Sequence, residues 1–296
     1  MAPILSNTSD VRRVPVAPLE LENAIRPPTN LYTHGNPCPA TFLSVRKINS
    51  GHVIDKTVYE IVFDHHGDLS YWEGQAFMVI CHNPDDPNVL EPKTVFAASS
   101  RYGDYFNGKT ATIIVPLDKN DKTLKYLCMK ARRRDHLQLV GPSFEATLLG
   151  DYSPTATHIF VAKSGAAIAP FRAHLRHFFK EDIPLFKFAG QVLLFYGVED
   201  DLDSRVYNDE FKQYEQDYPR NFNYKYFNDI LQRQGESFYV FQLVVHSGAY
   251  IYLVGPQSMV DEVEAVFRSI ANQNTWDGIK DDLIKKNQWR VQVYDY

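Results

Sequence analysis

The stretch HIFVAKSGAAIAPFRAHL, residues 158–175, decides the fold of this chain. Its apolar run over residues 159–162 predicts a buried strand, a turn of small residues follows, and Pro170 opens a helix. A strand, a small-residue turn and a helix in this order are typical of dinucleotide-binding domains, where the helix N-terminus cradles a pyrophosphate. Ala167 stands where such a turn would carry a second glycine.

The sequence after this stretch keeps alternating between strands and helices. Apolar runs over residues 190–198, 222–227 and 249–256 predict strands, and the patterns over residues 206–218 and 259–273 predict helices. Strands that alternate with helices indicate a parallel sheet with right-handed crossovers. The C-terminal half is therefore predicted to be an α/β domain.

The sequence before it has a different rhythm. Short alternating runs over residues 57–65, 74–82, 109–117 and 136–142 predict strands separated by polar turns. Several such strands without helical periodicity favour an antiparallel β-barrel. The polar run DKNDKT, residues 118–123, is predicted to be a tight hairpin loop.

These patterns divide the chain into three parts. We expect an extended Pro-rich arm over residues 1–30, a barrel over residues 31–150 and an α/β domain over residues 155–296. The arm lacks the apolar core of a signal peptide and is suited to lying across another subunit.

Composition excludes several function classes. The 296 residues are 44% hydrophobic and 23% charged, as in a folded protein, and the net charge of -5 gives no reason to expect nucleic-acid binding. Cys38, Cys81 and Cys128 are far apart, which predicts neither a disulfide framework nor a metal site and favours a reducing, soluble compartment. His65 and His66 lack partners at metal-ligand spacing and are predicted to be surface residues. No apolar run is long enough to span a membrane.

Five motifs then occur in a recognisable order. They are YWEGQ at 71–75, ASSRYGDYFNGKTAT at 98–112, GPS at 141–143, IAPFR at 168–172 and QWRVQVY at 288–294. In sequence and spacing they resemble the ferredoxin–NADP reductase family, and within it the plant-type, non-photosynthetic (root-like) branch. The resemblance implies a FAD-binding barrel, an NADP-binding α/β domain, a plastid location and electron transfer between NADP and an iron–sulfur partner such as ferredoxin.

The flavin strand of that family reads Arg-x-Tyr-Ser, and the matching residues here differ. Lys93 replaces the arginine that grips the FAD pyrophosphate, which keeps the charge but loses the bidentate fork. Val95 replaces the tyrosine that packs on the flavin, and Phe96 replaces the serine near its N5 atom. We expect Phe96 to intrude on the flavin position, and Ser99 remains as a residual cofactor contact.

A second flavin element, a Cys-Ser-Asn turn that opens a helix, is also altered. Cys128 is kept, Met129 stands at the serine position, and the segment that follows is shorter than the family pattern. The shortening predicts loss of the helix turn whose N–H groups would receive phosphate. Arg132, Arg133 and Arg134 are left as residual anion contacts, but a solvated loop or a partner-docking patch is the preferred interpretation of this segment.

The NADP positions implied by the resemblance carry replacements as well. Ser164 and Gly165 keep part of the Thr-Gly-Thr-Gly turn, but Ala167 adds a Cβ where the backbone must approach pyrophosphate. Asn228 and Asp229 replace the Ser-Arg pair that holds the 2′-phosphate, and the aspartate inverts the charge.

The catalytic positions complete this comparison. Val254 replaces the cysteine that faces the nicotinamide, and Gln292 replaces a proton-relay glutamate, which glutamine cannot imitate. Tyr294 matches the tyrosine that covers the flavin, although two further residues follow it.

Because the losses fall on the site while the scaffold residues are kept, our preferred hypothesis is a pseudoenzyme without FAD, NADP or metal. It would be a structural or regulatory subunit of a larger organellar electron-transfer complex, with any membrane association made through a partner. The alternative is an active FAD-dependent ferredoxin/NAD(P)H oxidoreductase with altered contacts. There Lys93, Arg132 and Arg133 hold the FAD phosphates, and Tyr294 covers the ring. A crevice adapted to another small ligand is a third possibility.

Overall fold

Two large sheets of different type and one two-stranded sheet are formed by the described residues. The computed structural model describes residues 13–17, 19, 26–49, 57–81, 90–145, 147–184, 186–198, 205–271 and 273–293. A two-residue strand, β1 (Val14–Pro15), precedes the first sheet.

The first sheet is an antiparallel barrel. Its strands are β2 (Cys38–Lys47), β3 (Val58–Asp64), β4 (Ala76–Cys81), β5 (Lys93–Phe96), β6 (Thr110–Pro116) and β7 (His136–Val140), with helix α1 (Lys122–Met129) between the last two. The strand order is β5-β4-β7-β2-β3-β6, and a bridge between Ala97 and Ile113 joins the two outer strands. Alternate side chains fill the interior, among them Phe42, Phe63 and Phe77, because successive residues of a strand face opposite sides.

The second sheet is parallel and carries helices. The elements of this half of the chain, in order, are β8 (Thr157–Lys163), α2 (Ala169–Phe179), β9 (Glu181–Asp182), β10 (Gln191–Gly197), α3 (Asn208–Asp217), β11 (Phe222–Tyr226), α4 (Phe227–Gln232), α5 (Gln234–His246), β12 (Tyr250–Gly255), α6 (Gln257–Ala271), α7 (Gln273–Lys285) and β13 (Trp289–Val293). Of the strands, β9 is not part of this sheet. The order is β11-β10-β8-β12-β13, with every neighbouring pair parallel. A barrel followed by a parallel α/β domain confirms the fold class predicted from the sequence.

The barrel and the α/β domain share an apolar seam. Val58 and Phe96 of the barrel belong to the same buried cluster as Ala166 and Ala167, which lie in the turn between β8 and α2. The four side chains are 0% to 7% exposed. The predicted dinucleotide turn is therefore packed directly against the barrel.

The described part of the predicted arm lies against its own chain. β1 pairs in parallel with β9, and the Val14 N–H donates to the Lys180 carbonyl at 2.8 Å. Val16 is buried in one small cluster with Tyr102 of the barrel side and Ile183 of the α/β domain. Residues 13–17 of the arm thus cross the seam between the two domains of the same chain. Residues 1–12, 18 and 20–25 of the predicted arm lie outside the described residues.

Two local expectations need correction. DKNDKT is not a hairpin loop, because Asp121 caps α1 and the helix begins at Lys122. His65 is not a surface residue: it is 1% exposed, its Nδ1 accepts the Leu69 N–H at 3.2 Å, and burial lowers its pKa to about 4. His66 is exposed, as expected. The helices α4, α5 and α7 had no counterpart among the sequence expectations. In the part of the chain that the structure describes, no helix is long and apolar enough to cross a membrane.

Candidate active site

A cleft of about 830 Å³ opens between β5, β6 and the start of α1. Its volume lies within the range of about 300–1,000 Å³ that is usual for ligand pockets. Residues from three consecutive parts of the barrel line it: Lys93, Thr94, Val95, Ile114, Val115, Pro116, Leu117, Asp118, Lys119, Asn120, Asp121 and Leu124. Two of the predicted flavin positions, Lys93 and Val95, are thus on its wall.

At one end of this cleft Lys93 meets the N-terminus of α1. The Lys93 Nζ atom lies 2.5 Å from Asp121 Oδ2, and the other carboxylate oxygen accepts the N–H groups of Thr123 and Leu124, each at 2.9 Å. Burial raises the pKa of Asp121, but the hydrogen bond from Lys93 and those from the helix backbone outweigh it, so the net direction is down. The same contact raises the pKa of Lys93.

The structure places Cys128 near the end of a helix and not at the start of one. α1 is present, and its N-terminus lies at the cleft, whereas Cys128 and Met129 lie at its opposite end. Met129 is 58% exposed there. Arg132 follows beyond that end, is also exposed, and uses its N–H to bond Asp135 Oδ2 at 2.8 Å. The structure therefore does not bring Arg132 together with Lys93.

The next residues of the flavin strand point into the protein. Val95 faces the barrel core and is 4% exposed, whereas Phe96 faces the seam and is 6% exposed. Phe96 is not among the residues that line the cleft, so its ring fills the junction of the two domains instead. Ser99 is fully buried, and its hydroxyl bonds the Tyr71 hydroxyl at 2.9 Å and the Thr112 N–H at 3.0 Å.

The turn after β8 has the local shape that the sequence predicted. The Ser164 hydroxyl accepts the Ala167 N–H at 3.1 Å, and α2 begins two residues later. A Cβ on Gly165 would lie only 2.6 Å from Val58 Cγ2. A larger residue at this position would therefore force the Val58 side chain of the barrel to shift.

The residues expected near a 2′-phosphate lie in the first turn of α4. Asp229 Oδ2 accepts the Tyr226 N–H at 3.1 Å, its Oδ1 lies 3.1 Å from Arg233 Nε, and Asn228 is exposed beside it. The side chain of Lys163, at the end of β8, lies 5.1 Å from the centre of the Phe227 ring. The first turn of α4 is thus at the same carboxyl edge of the sheet as the Ser164 turn, where α/β sheets bind nucleotides.

The two predicted catalytic positions are brought side by side. Val254 of β12 is in register with Gln292 of β13 on one side and with Ala162 of β8 on the other. Val254 is fully buried, and Gln292 is partly exposed. Neither side chain can carry a proton at neutral pH. Tyr294 lies outside the described residues.

The described residues offer a place for a nucleotide but no metal centre. Among them, no group of three or more His, Cys, Asp or Glu side chains could hold a metal ion. The cleft has the volume for a dinucleotide, and Lys93 beside a helix N-terminus suits a diphosphate. The residues therefore fit FAD, except that the Asp121 carboxylate already binds the lysine and the N–H groups that a diphosphate would use.

Comparisons with known proteins agree with this geometry. The family model of the oxidoreductase NAD-binding domain matches residues 161–265. The chain is 37% identical to the embryo isozyme of chloroplastic ferredoxin–NADP reductase from Oryza sativa subsp. japonica, over 95% of this chain and 82% of that protein. It is 34% identical to root isozyme 1 from Arabidopsis thaliana, over 97% of this chain and 82% of that protein.

Solved structures show the same fold at lower identity. Ferredoxin–NADP+ reductase from Plasmodium falciparum with 2′P-AMP superposes with a TM-score of 0.70 at 20% identity, covering 90% of this chain and 99% of that one. The expectation of a chain without cofactors is wrong in the light of these matches. These matches place the chain among the ferredoxin–NADP reductases, and the matched family model is that of an NAD-binding domain.

Proposed function

The chain belongs to the ferredoxin–NADP reductase family, and from that premise we propose that it is a FAD-dependent oxidoreductase with altered cofactor contacts. It exchanges electrons between a nicotinamide nucleotide and a one-electron iron–sulfur protein such as ferredoxin. The observation that carries the proposal is the 830 Å³ cleft, which opens at Lys93 and the α1 N-terminus in a chain related to these reductases over 95% of its length.

Each part of the described site has a role in this proposal. Lys93 and the first turn of α1 hold the FAD diphosphate, and Val95 contributes apolar surface in place of an aromatic ring. FAD supplies the conversion between two-electron and one-electron transfer when it is bound. Gln292, partly exposed beside the buried Val254, would face the nicotinamide, and neither position supplies a thiol or a carboxylate.

The nucleotide preference follows from charge. Asp229 places a carboxylate in the first turn of α4, where the family has an arginine for the 2′-phosphate. A carboxylate repels a phosphate, whereas it can accept a hydrogen bond from a ribose hydroxyl. The proposed donor is therefore NADH in preference to NADPH.

Location and partner are proposed from the relatives. The proteins from Oryza sativa and Arabidopsis thaliana are both described as chloroplastic ferredoxin–NADP reductases. We assign this chain to the plastid and its electron exchange to a ferredoxin on that basis.

A reduction assay tests the proposal. The purified chain is incubated with FAD, freed of excess, and supplied with NADH and a plant-type ferredoxin, whose reduction is followed by its visible absorption. The proposal predicts reduction that depends on the chain, on FAD and on NADH. A FAD-loaded protein that reduces neither ferredoxin nor ferricyanide with NADH or NADPH would contradict it.

A second function is favoured by one observation. Phe96 and Val254, which stand at two positions where the family carries reactive side chains, are both buried in the apolar seam cluster. A non-catalytic structural or regulatory subunit of a larger electron-transfer complex needs no reactive group at either position. This candidate predicts a protein without turnover that co-purifies from its native source in an assembly larger than its own 34.0 kDa.

A further inference from the structure

At the end of the cleft where a diphosphate would bind, the Asp121 carboxylate already occupies Lys93 and the N–H groups of α1. We propose that Asp121 determines nucleotide affinity by competing with the incoming diphosphate for Lys93 and the α1 N-terminus. Binding then requires this carboxylate to swing out of the cleft. The inference rests on the proposed function in that it concerns the same cleft, and it adds a residue that opposes cofactor binding.

The geometry shows one carboxylate engaging both cationic features of this end. Asp121 Oδ2 is 2.5 Å from Lys93 Nζ, and Oδ1 receives the N–H groups of Thr123 and Leu124 at 2.9 Å. A diphosphate bound at a lysine and a helix N-terminus would use the same N–H groups and the same ammonium. The two anions cannot occupy these donors together, since like charges in a partly desolvated cleft repel.

The other charges of the lining do not relieve this competition. Lys119 and Asp118 also line the cleft, so its two lysines are matched by two aspartates. The Asp118 carboxylate stabilises the loop before α1, because it accepts a hydrogen bond from the Asn120 N–H at 2.8 Å. Protonation does not remove the charge of Asp121 at neutral pH either, as Lys93 and the helix N–H groups keep its pKa low.

Asparagine separates the two roles of Asp121. Asn caps helices about as well as Asp, so Asp121→Asn preserves α1 while removing the nearer of the two carboxylate charges that pair with Lys93. The other, Glu91, lies 3.8 Å from Lys93 Nζ on an exposed side chain. Asp118→Asn is the matched control, because it makes the same change of charge and size in the same cleft while leaving the contact between Lys93 and Asp121 intact.

The experiment measures binding of two probes to the full-length chain. ADP, the adenosine diphosphate half of FAD, is titrated by calorimetry, and FAD is titrated through quenching of its fluorescence. Circular dichroism and urea unfolding establish that each variant is folded. We expect Asp121→Asn to bind ADP and FAD at least tenfold more tightly than the unaltered chain, and Asp118→Asn to stay within about threefold.

Each result bears on a different claim. Equal or weaker ADP binding by Asp121→Asn, an equal gain in Asp118→Asn, or no ADP binding by any of the three proteins overturns the inference. A tenfold gain for ADP in Asp121→Asn, with no FAD bound by any protein, upholds the role of Asp121 and contradicts the proposed flavoenzyme. A gain for both probes upholds both.

Discussion

Arg172 of α2 donates from Nη2 to Asp104 Oδ1 at 3.2 Å and thereby joins the α/β domain to the loop between β5 and β6. Arg172 also donates to Glu210 at 3.1 Å and to the Ala98 carbonyl at 2.9 Å, and Arg176 lies 3.1 Å from the same Asp104 oxygen. The Arg172 side chain is 5% exposed. Burial raises the pKa of Asp104, but the two arginines outweigh it and lower that pKa to about 2.

Removing Arg172 should cost more than removing a surface charge. Arg172→Ala leaves Asp104 and Glu210 in a buried setting with Arg176 as their shared partner, and we expect it to lower the free energy of unfolding by about 3–5 kcal/mol. Urea denaturation measures this. Arg268→Ala, which breaks a pair with exposed Asp277, is the control and should cost less than about 1 kcal/mol. Similar costs for the two variants would show that the seam does not depend on Arg172.

His158 predicts a pH dependence of stability. Its ring stacks on Phe160, Phe178 and Phe188, neither ring nitrogen has a partner among the described residues, and burial followed by the nearby His174 lowers its pKa to about 3. The unfolded chain, with a histidine pKa near 6.5, binds a proton that the folded chain does not. Above pH 6.5 the protonation of His158 therefore does not affect the free energy of unfolding, which falls as the pH decreases from 6.5 toward about 3.

The variant His158→Phe tests this sign. It removes an unsatisfied buried group, so we expect the free energy of unfolding at pH 7 to rise by about 1–3 kcal/mol. Below pH 6 the free energy of unfolding of the variant should fall by about 1.4 kcal/mol less per pH unit, because one fewer proton is taken up on unfolding. A pH dependence should remain, since the pKa of buried His174 is also lowered. Urea unfolding at pH 7, 6 and 5 gives both quantities, with exposed His136→Gln as the control. An unchanged slope in His158→Phe contradicts the assignment.

Gly165 is expected to matter for packing before it matters for phosphate. Gly165→Ala places a Cβ 2.6 Å from Val58 Cγ2 and should lower the free energy of unfolding by about 1–3 kcal/mol. Val58→Ala in the same chain makes room for the added methyl group, so the double variant should lose less than the sum of the two single changes. Gly235→Ala, with open space around its Cβ position, should be nearly neutral. Additive losses in the double variant would refute the contact between these two residues.

Asp229 should set the choice between NADH and NADPH. Asp229→Arg inverts the charge at the first turn of α4, and we expect the KM for NADPH relative to that for NADH to fall at least tenfold in the FAD-loaded chain. Steady-state reduction of ferricyanide gives both constants. Asp281→Arg, an exposed change on α7, controls for net charge. A ratio that is the same in both variants would exclude Asp229 from the nucleotide site.

Much of this architecture could be predicted from local patterns. The period-two runs before residue 150 and the strand–turn–helix at residues 158–175 each carry their own signal, so the barrel and the parallel sheet follow in the right order.

The contacts that define the cleft could not be predicted in the same way. Asp121 carries a helix-capping signal, an aspartate before a periodic apolar run, but it lies in a polar segment whose composition favours a loop. Its approach to Lys93 depends on closure of the barrel, and no local pattern records that. The close approach of Val58 to Gly165 could not be predicted either, because the two residues belong to different domains. The inference that the cofactors were lost rested on single positions, and the relationship to ferredoxin–NADP reductases over 95% of the chain overturns it.

The most direct test of the account is the visible absorption spectrum of the purified chain after incubation with excess FAD and removal of the unbound cofactor. The account predicts a flavin band whose intensity corresponds to nearly one FAD per chain at saturating FAD. In Asp121→Asn the same occupancy should be reached at a lower FAD concentration. A flat spectrum for both proteins at saturating FAD would contradict the assignment of this chain as a flavin-dependent oxidoreductase.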